Sequence, residues 1–207
     1  MLCGAAQPAY DPINSDWEFC RMNHDSKIIQ LPLDAATVRT LRAGEWVRLQ
    51  GTLLGARDAV HRRLFEAVQQ EKELPVSLMG ETIYYVGPCP GREGHPCGSA
   101  GPTTSGRMDP YTPALLQKGL RGMIGKGKRS EAVVAAIKKH EAVYFAALGG
   151  AGAIYGSCIK SISVLAYPEL GPEALFRIEV ADFPAIVAID ALGSDYYEIG
   201  PASFRRD

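Results

Sequence analysis

The spacing of apolar residues changes period repeatedly along the chain, and each change predicts an element. Lys27 to Leu33 reads as a strand stopped near Pro32, and Ala35 to Leu41 has room for one or two helical turns. Trp46, Arg48 and Gln50 alternate with Val47, Leu49 and Gly51, the period of a half-buried strand over Trp46 to Leu54. The period then switches. Val60, Leu64 and Val68 recur every fourth residue and predict one apolar helical face from about Ala59 to Lys72, with Asp58 as N-cap and Pro75 closing the segment. Thr82 to Val86 and Gly122 to Ile124 are short strand candidates. Pro113 to Lys118 is helix-like, and Ser130 caps a helix carrying Val133, Val134 and Ile137. Ala142 to Leu148 reads as a buried strand, followed by a glycine-rich turn into a helix at 149–155. Three more strands are expected at Ile162–Tyr167, Phe176–Val180 and Ala185–Ile189. Mixed strands and helices without internal repeats predict an α/β or α+β domain.

Two stretches break the periodicity. Residues 1–27 are polar and aperiodic with Pro8 and Pro12, and are read as an N-terminal tail before a domain over 28–207, or as the product of an upstream start codon that is not the biological one, with Met22 just before the first strand; the alternative is an arm that wraps a partner. Residues 87–106 form a long loop dense in glycine and proline. Loops of about 20 residues inside a compact domain are usually functional or disordered. This one runs directly into a helix-like segment, so it is read as a site loop.

Composition narrows the function. A net charge of −1, with Lys and Arg dispersed, gives no footprint for nucleic acid or an anionic membrane. No apolar run approaches the ~18 residues of a membrane span, and no signal peptide is legible, so a cytoplasmic location is expected. The five cysteines are Cys3, Cys20, Cys89, Cys97 and Cys158. They contain no CxxC, so neither a zinc site nor an iron–sulfur ligand set is expected from this chain alone.

The candidate chemistry is cationic. Arg57 precedes Asp58 at a helix start, where the helix dipole favours an anion. Gly101 to Arg107 sets Thr103, Thr104 and Ser105 beside a guanidinium suited to a bidentate carboxylate, although composition fits a capped turn equally well. Lys126 lies between Gly125 and Gly127, in a sequence that lacks the remainder of a phosphate loop. Gly149 to Gly156 misses the dinucleotide spacing by one residue and is better read as small residues allowing close helix packing on the sheet. His61 is read as a hydrogen-bonded structural histidine.

The strings GSAGPTTSGRMDPYTP at 98–113 and IGKG at 124–127 resemble the β subunit of the two-chain class I fumarases, a family that includes L-tartrate dehydratases. The resemblance continues through GTLLGARDAVHRR at 51–63, VYFAALGGAGA at 143–153 and the stretch from Ile159 to Asp190. It departs at GHPCG before the threonine loop, which brings Cys97 near the expected site. The resemblance implies a three-layer β/β/α swivelling domain. It implies a catalytic [4Fe-4S] cluster ligated by a partner α subunit, in an α2β2 hetero-oligomer, with iron as Lewis acid on the leaving hydroxyl. It also implies that Arg57, Thr103, Arg107 and Lys126 bind a dicarboxylic acid, with Thr103 and Lys126 assisting proton transfer. Fumarate hydration to malate is the expected reaction. L-tartrate dehydration, mesaconate hydration and a non-catalytic binding module are the alternatives. A neutral threonine is a poor base, so an activating lysine or a base from the other chain is expected.

Overall fold

A computed structural model describes residues 26–202 and 204–205. The expected tail therefore lies outside the described residues, apart from its last two positions. The first strand, β1, already occupies Lys27–Leu31.

Thirteen elements follow in chain order: β1, α1 (Ala35–Thr40), β2 (Trp46–Gly55), α2 (Asp58–Gln69), β3 (Thr82–Tyr84), α3 (Thr112–Gln117), β4 (Gly122–Gly125), α4 (Glu131–His140), β5 (Val143–Ala146), α5 (Gly152–Cys158), β6 (Ile159–Ala166), β7 (Leu175–Ile189) and α6 (Tyr196–Ala202). The sheet is seven-stranded in the order β1-β2-β3-β4-β5-β7-β6, and β2 also pairs with β7. Strands β1 to β5 run parallel; β7 runs antiparallel to β2, β5 and β6. Pairing of β7 with both β2 and β5 closes the sheet into a barrel-like arrangement within a mixed α/β domain.

That closure depends on one long strand where the sequence pattern predicts two. Residues 181–184, Ala-Asp-Phe-Pro, read as a break, yet the strand continues through them. Asp182 takes a left-handed backbone (φ 52°), which bends the strand without ending it. Pro184, which has no N–H to donate, lies opposite Arg48. The segment before the bend pairs with β6 and β2, and the segment after it with β2 and β5.

Both faces of β3, β4 and β5 are buried. Tyr84, Ile124, Val143 and Phe145 face the interior enclosed by the sheet, while Ile83, Met123 and Tyr144 face the helices. This explains the near-continuous apolar run at 142–148, since parallel strands covered on both sides need not alternate. In the enclosed core Phe183 stacks on Tyr155 at 4.7 Å and meets Tyr84 edge-on at 5.1 Å. On the outer face α2, α3 and α4 bury Val60, Leu64, Leu115, Leu116, Val133 and Ile137. Burial on both faces fixes the sheet rigidly, so the loops at the carboxyl ends of β2 to β5 start from a defined frame.

Candidate functional site at the carboxyl edge of the sheet

Strands β2, β3, β4 and β5 end at Gly55, Tyr84, Gly125 and Ala146, side by side. In open α/β sheets this edge is where ligands bind. The four sequence-predicted residues all emerge from it.

Arg57 follows β2 and is the N-cap of α2, so the cap lies one residue earlier than expected. Asp58 is the first helical residue and makes no capping bond, because its carboxylate is engaged elsewhere. Arg107 Nη2 donates to Asp58 Oδ2 at 2.6 Å, and Arg57 Nε lies 3.7 Å from Asp58 Oδ1. One carboxylate thus joins both arginines. Glu173, in the turn after β6, takes the other end of Arg57 at 3.2 Å. The Arg57 side chain runs beside Gly87, where a Cβ would stand 2.9 Å from Nη1.

Thr103 and Lys126 are joined through the main chain. The Thr103 N–H donates to Tyr85 O at 2.7 Å, just past the end of β3, and the Lys126 N–H donates to Thr103 O at 3.3 Å. The Ser105 N–H donates to Lys126 O at 2.9 Å. The threonine loop therefore continues the sheet beside the end of β4, and Arg107 follows directly in a 3-10 turn over Ser105–Met108. Lys126 is half-buried and its stem passes 3.7 Å from where a Gly149 Cβ would be. Among the described residues no carboxylate pairs with the Lys126 ammonium and no hydrogen bond engages the Thr103 hydroxyl. The arrangement thus has two arginines held by carboxylates and an ammonium and a hydroxyl left available.

The neighbouring residues explain the glycines. A Cβ on Gly156 would stand 2.1 Å from Gly98 O, and one on Gly152 would stand 2.4 Å from Ser99 Oγ. Helix α5 therefore lies against the loop that carries the threonines, a closer account than packing on the sheet alone.

His61 is fully buried on α2, edge-on to Tyr85 at 5.1 Å. Its Nδ1 lies 2.8 Å from Arg57 O, so Nδ1 carries the proton and donates to that carbonyl. Burial pushes its pKa down to about 4, which keeps it neutral and structural.

Cys97 lies in the enclosed core and its Sγ approaches Cys89 O at 3.7 Å, in the hairpin before the threonine loop. Its thiol is pushed up by burial and by Cys89 nearby. Among the described residues no hydrogen bond links it to any of the four. Among the described residues no group of three or more His, Cys, Asp or Glu is placed to hold a metal. An iron–sulfur cluster does not fit the described part of this chain.

Two concavities lie away from the four residues. One of about 440 Å³ sits between α3 and α4, and one of about 360 Å³ sits in the Cys89–Ser99 hairpin. The arginine cluster instead opens to the surface at Arg107, whose side chain is 49% exposed, while Arg57 is 25% exposed. The chemistry of the side chains, rather than enclosure, marks this edge as the candidate site.

Sequence reasoning missed Asp58 as the bridge and Glu173 as a partner. The string GTLLGARDAVHRR at 51–63, where Asp58 directly follows Arg57, held the signal for Asp58. Nothing local in Glu-Leu-Gly-Pro-Glu at 169–173 points to Arg57, more than a hundred residues away.

The profile of the family described as Fumarase C-terminus matches residues 6–200. This chain belongs to the fumarase C-terminus family. The anaerobic class I fumarate hydratase of Escherichia coli K12 is 43% identical over 152 residues, covering 72% of this chain and 28% of that protein. Fumarate hydratase 2 of Leishmania major is 43% identical over 156 residues, covering 74% of this chain and 28% of that protein. A Methanocaldococcus jannaschii protein, provisionally named L(+)-tartrate dehydratase subunit beta, is 34% identical over 167 residues, covering 78% of this chain and 86% of its own length. The fumarase C-terminus chain thus aligns with under a third of the fumarate hydratases but with most of a β subunit. No helix among its described residues is long and apolar enough to cross a membrane.

Proposed function

We propose that this chain is the β subunit of a two-chain iron–sulfur hydro-lyase that hydrates fumarate reversibly to malate. The observation that carries this reading is the gathering of Arg57, Thr103, Arg107 and Lys126 at one sheet edge, with both arginines on Asp58 and the other two residues on one backbone ladder. The names of the relatives and the match to a β subunit over most of its length support it. Helices α2 to α4 on one face of β2–β5, with β7 closing the other, support the three-layer β/β/α swivelling description.

In this reading the arginines grip the two carboxylates of the substrate. Removing the weakly acidic C–H beside a carboxylate builds negative charge there, and a fixed guanidinium stabilises that charge more in the transition state than in the ground state. Thr103 Oγ1 and Lys126 Nζ, both without partners among the described residues, are the chain's groups for moving that proton. The cluster belongs to a partner α subunit, which covers the open edge in a cytoplasmic α2β2 assembly. L-tartrate dehydration is the second reading, favoured by the Methanocaldococcus relative.

The test is assembly. The full chain alone, treated with iron and sulfide, is expected to stay colourless and inactive. Mixed anaerobically with a cluster-bearing partner, it is expected to consume fumarate. Turnover by the chain alone, or no turnover of fumarate or tartrate in the assembled pair, would overturn the reading.

A further inference from the structure

Arg129 is a buried charge, with its side chain 0% exposed. Burying a guanidinium is costly unless every donor is met and the charge is paired. Here Nε donates to Asp109 Oδ1 at 2.7 Å, Nη2 to Thr112 Oγ1 at 2.8 Å and Nη1 to Tyr85 Oη at 3.3 Å. The guanidinium also lies 5.0 Å from the Tyr144 ring centre and 5.5 Å from that of Tyr85. Asp109 uses its second oxygen to accept from the Ser130 N–H at 2.6 Å. The Met-Asp-Pro-Tyr-Thr half of the threonine-loop string is thereby explained: Asp109 and Thr112 are there for Arg129.

The network reaches the candidate site through Tyr144. Its O–H donates to Gly127 O at 2.8 Å, and its oxygen lies 2.9 Å from Ser105 Oγ. A phenol has one proton, and a carbonyl can only accept, so Ser105 must be the donor to Tyr144. Ser105 lies between Thr103 and Arg107, and Gly127 follows Lys126. One buried phenol thus ties the threonine loop to the lysine turn. Gly125 completes the fit, because a Cβ there would stand 2.1 Å from Ser105 Oγ and 2.7 Å from Tyr85 Cδ2.

We propose that Arg129 and Tyr144 form a buried positioning unit that sets Thr103 and Arg107 against Lys126 through the Ser105–Tyr144–Gly127 hydrogen bonds. Neither residue touches substrate; both act through the loop and the turn they hold. Arg57 stands outside the unit, held by Asp58 and Glu173. Loss of the unit therefore disturbs the proton-moving pair more than the first carboxylate contact. The inference rests on the hydro-lyase reading for its consequence, but the geometry can be tested without activity.

The test uses Tyr144→Phe, which removes one hydroxyl and keeps the ring over Arg129, with Arg129→Lys as a second variant. Amide hydrogen exchange in the full chain should rise at least about tenfold at Thr103, Ser105 and Lys126, with β1 and β2 unchanged. In the assembled hydratase, Tyr144→Phe should lower kcat roughly ten- to a hundredfold with little change in KM. It should add little when Lys126 is already alanine, because both changes remove the same alignment. Unchanged exchange at the loop, exchange raised uniformly over the sheet, or faster loop exchange with wild-type kcat would each overturn the proposal. A wild-type assembly without hydratase activity would count against the proposed function alone, and the exchange result would still decide the positioning.

Discussion

Arg107 and Asp58, 49 positions apart, meet at 2.6 Å, and this contact takes Asp58 away from the helix cap its sequence position predicts. Asp58→Asn keeps the shape and removes the charge. Arg107 is half-exposed, so stability should change by no more than about 1 kcal/mol. For binding, two effects oppose: the substrate loses a competing anion, and Arg107 loses its orientation. Orientation during reaction has no such offset. KM should therefore move little while kcat falls about tenfold. Steady-state kinetics of the assembled enzyme check this, and an unchanged kcat would show the contact to be incidental.

His61 gives a pH signature. Its folded pKa of about 4 is below the ordinary 6.5, so the unfolded chain binds more protons between those values. The contribution of neutral His61 is complete above pH 6.5 and is lost as pH falls from there to about 4. Burial is complete, and the size over the whole window is about 3 kcal/mol. His61→Gln should flatten this part of the stability curve relative to wild type. Denaturant melts at several pH values would read the difference. Parallel curves for the two proteins would contradict the assignment.

Gly156 tests whether α5 supports the threonine loop. An alanine there meets the main chain at Gly98 O, which cannot swing aside as a side chain would. Gly156→Ala should cost about 1–3 kcal/mol and lower kcat, because Ser99 to Thr103 must shift. Gly150→Ala, with open space but a positive φ of 83°, should lower stability through the backbone alone and leave kcat near wild type. Thermal melts and kinetics on both variants separate the two effects.

These contrasts show what the sequence made legible. Helix α2 and strands β1 to β5 were readable because their apolar spacing is local and regular. The four cationic and hydroxyl candidates stood out because the glycine- and proline-rich loop and the resemblance marked them, and the fold brings all four to one sheet edge. Strand β7 was not, because a bend at Asp182 beside Pro184 looks like a turn until β2 and β5 are placed on either side. Nor were Asp58, Glu173 and Arg129 in their roles: Asp58 looks like a cap, Glu173 lies in an unremarkable turn, and no local pattern marks Arg129. Each acquires its role only through a contact across the fold.

Thr103 distinguishes binding from proton transfer. Thr103→Val removes the hydroxyl at nearly constant volume, and the hydroxyl has no other partner among the described residues. A role in proton transfer predicts a lower kcat with KM held, whereas a binding role predicts the reverse. The first pattern is the expected outcome, measured with fumarate in the assembled enzyme.

The central claim is that Arg57, Arg107 and Lys126 form one dicarboxylate site with Thr103. Its most direct measurement is the dissociation constant of a non-reacting dicarboxylate, such as succinate, for the assembled enzyme with Arg107 intact and with Arg107→Lys. The substitution keeps the charge and loses the bidentate fork. Weakening of binding by about 2 kcal/mol or more, close to thirtyfold, is the result this account predicts. Equal affinity of the two proteins, with Arg57→Lys also equal to wild type, would contradict it.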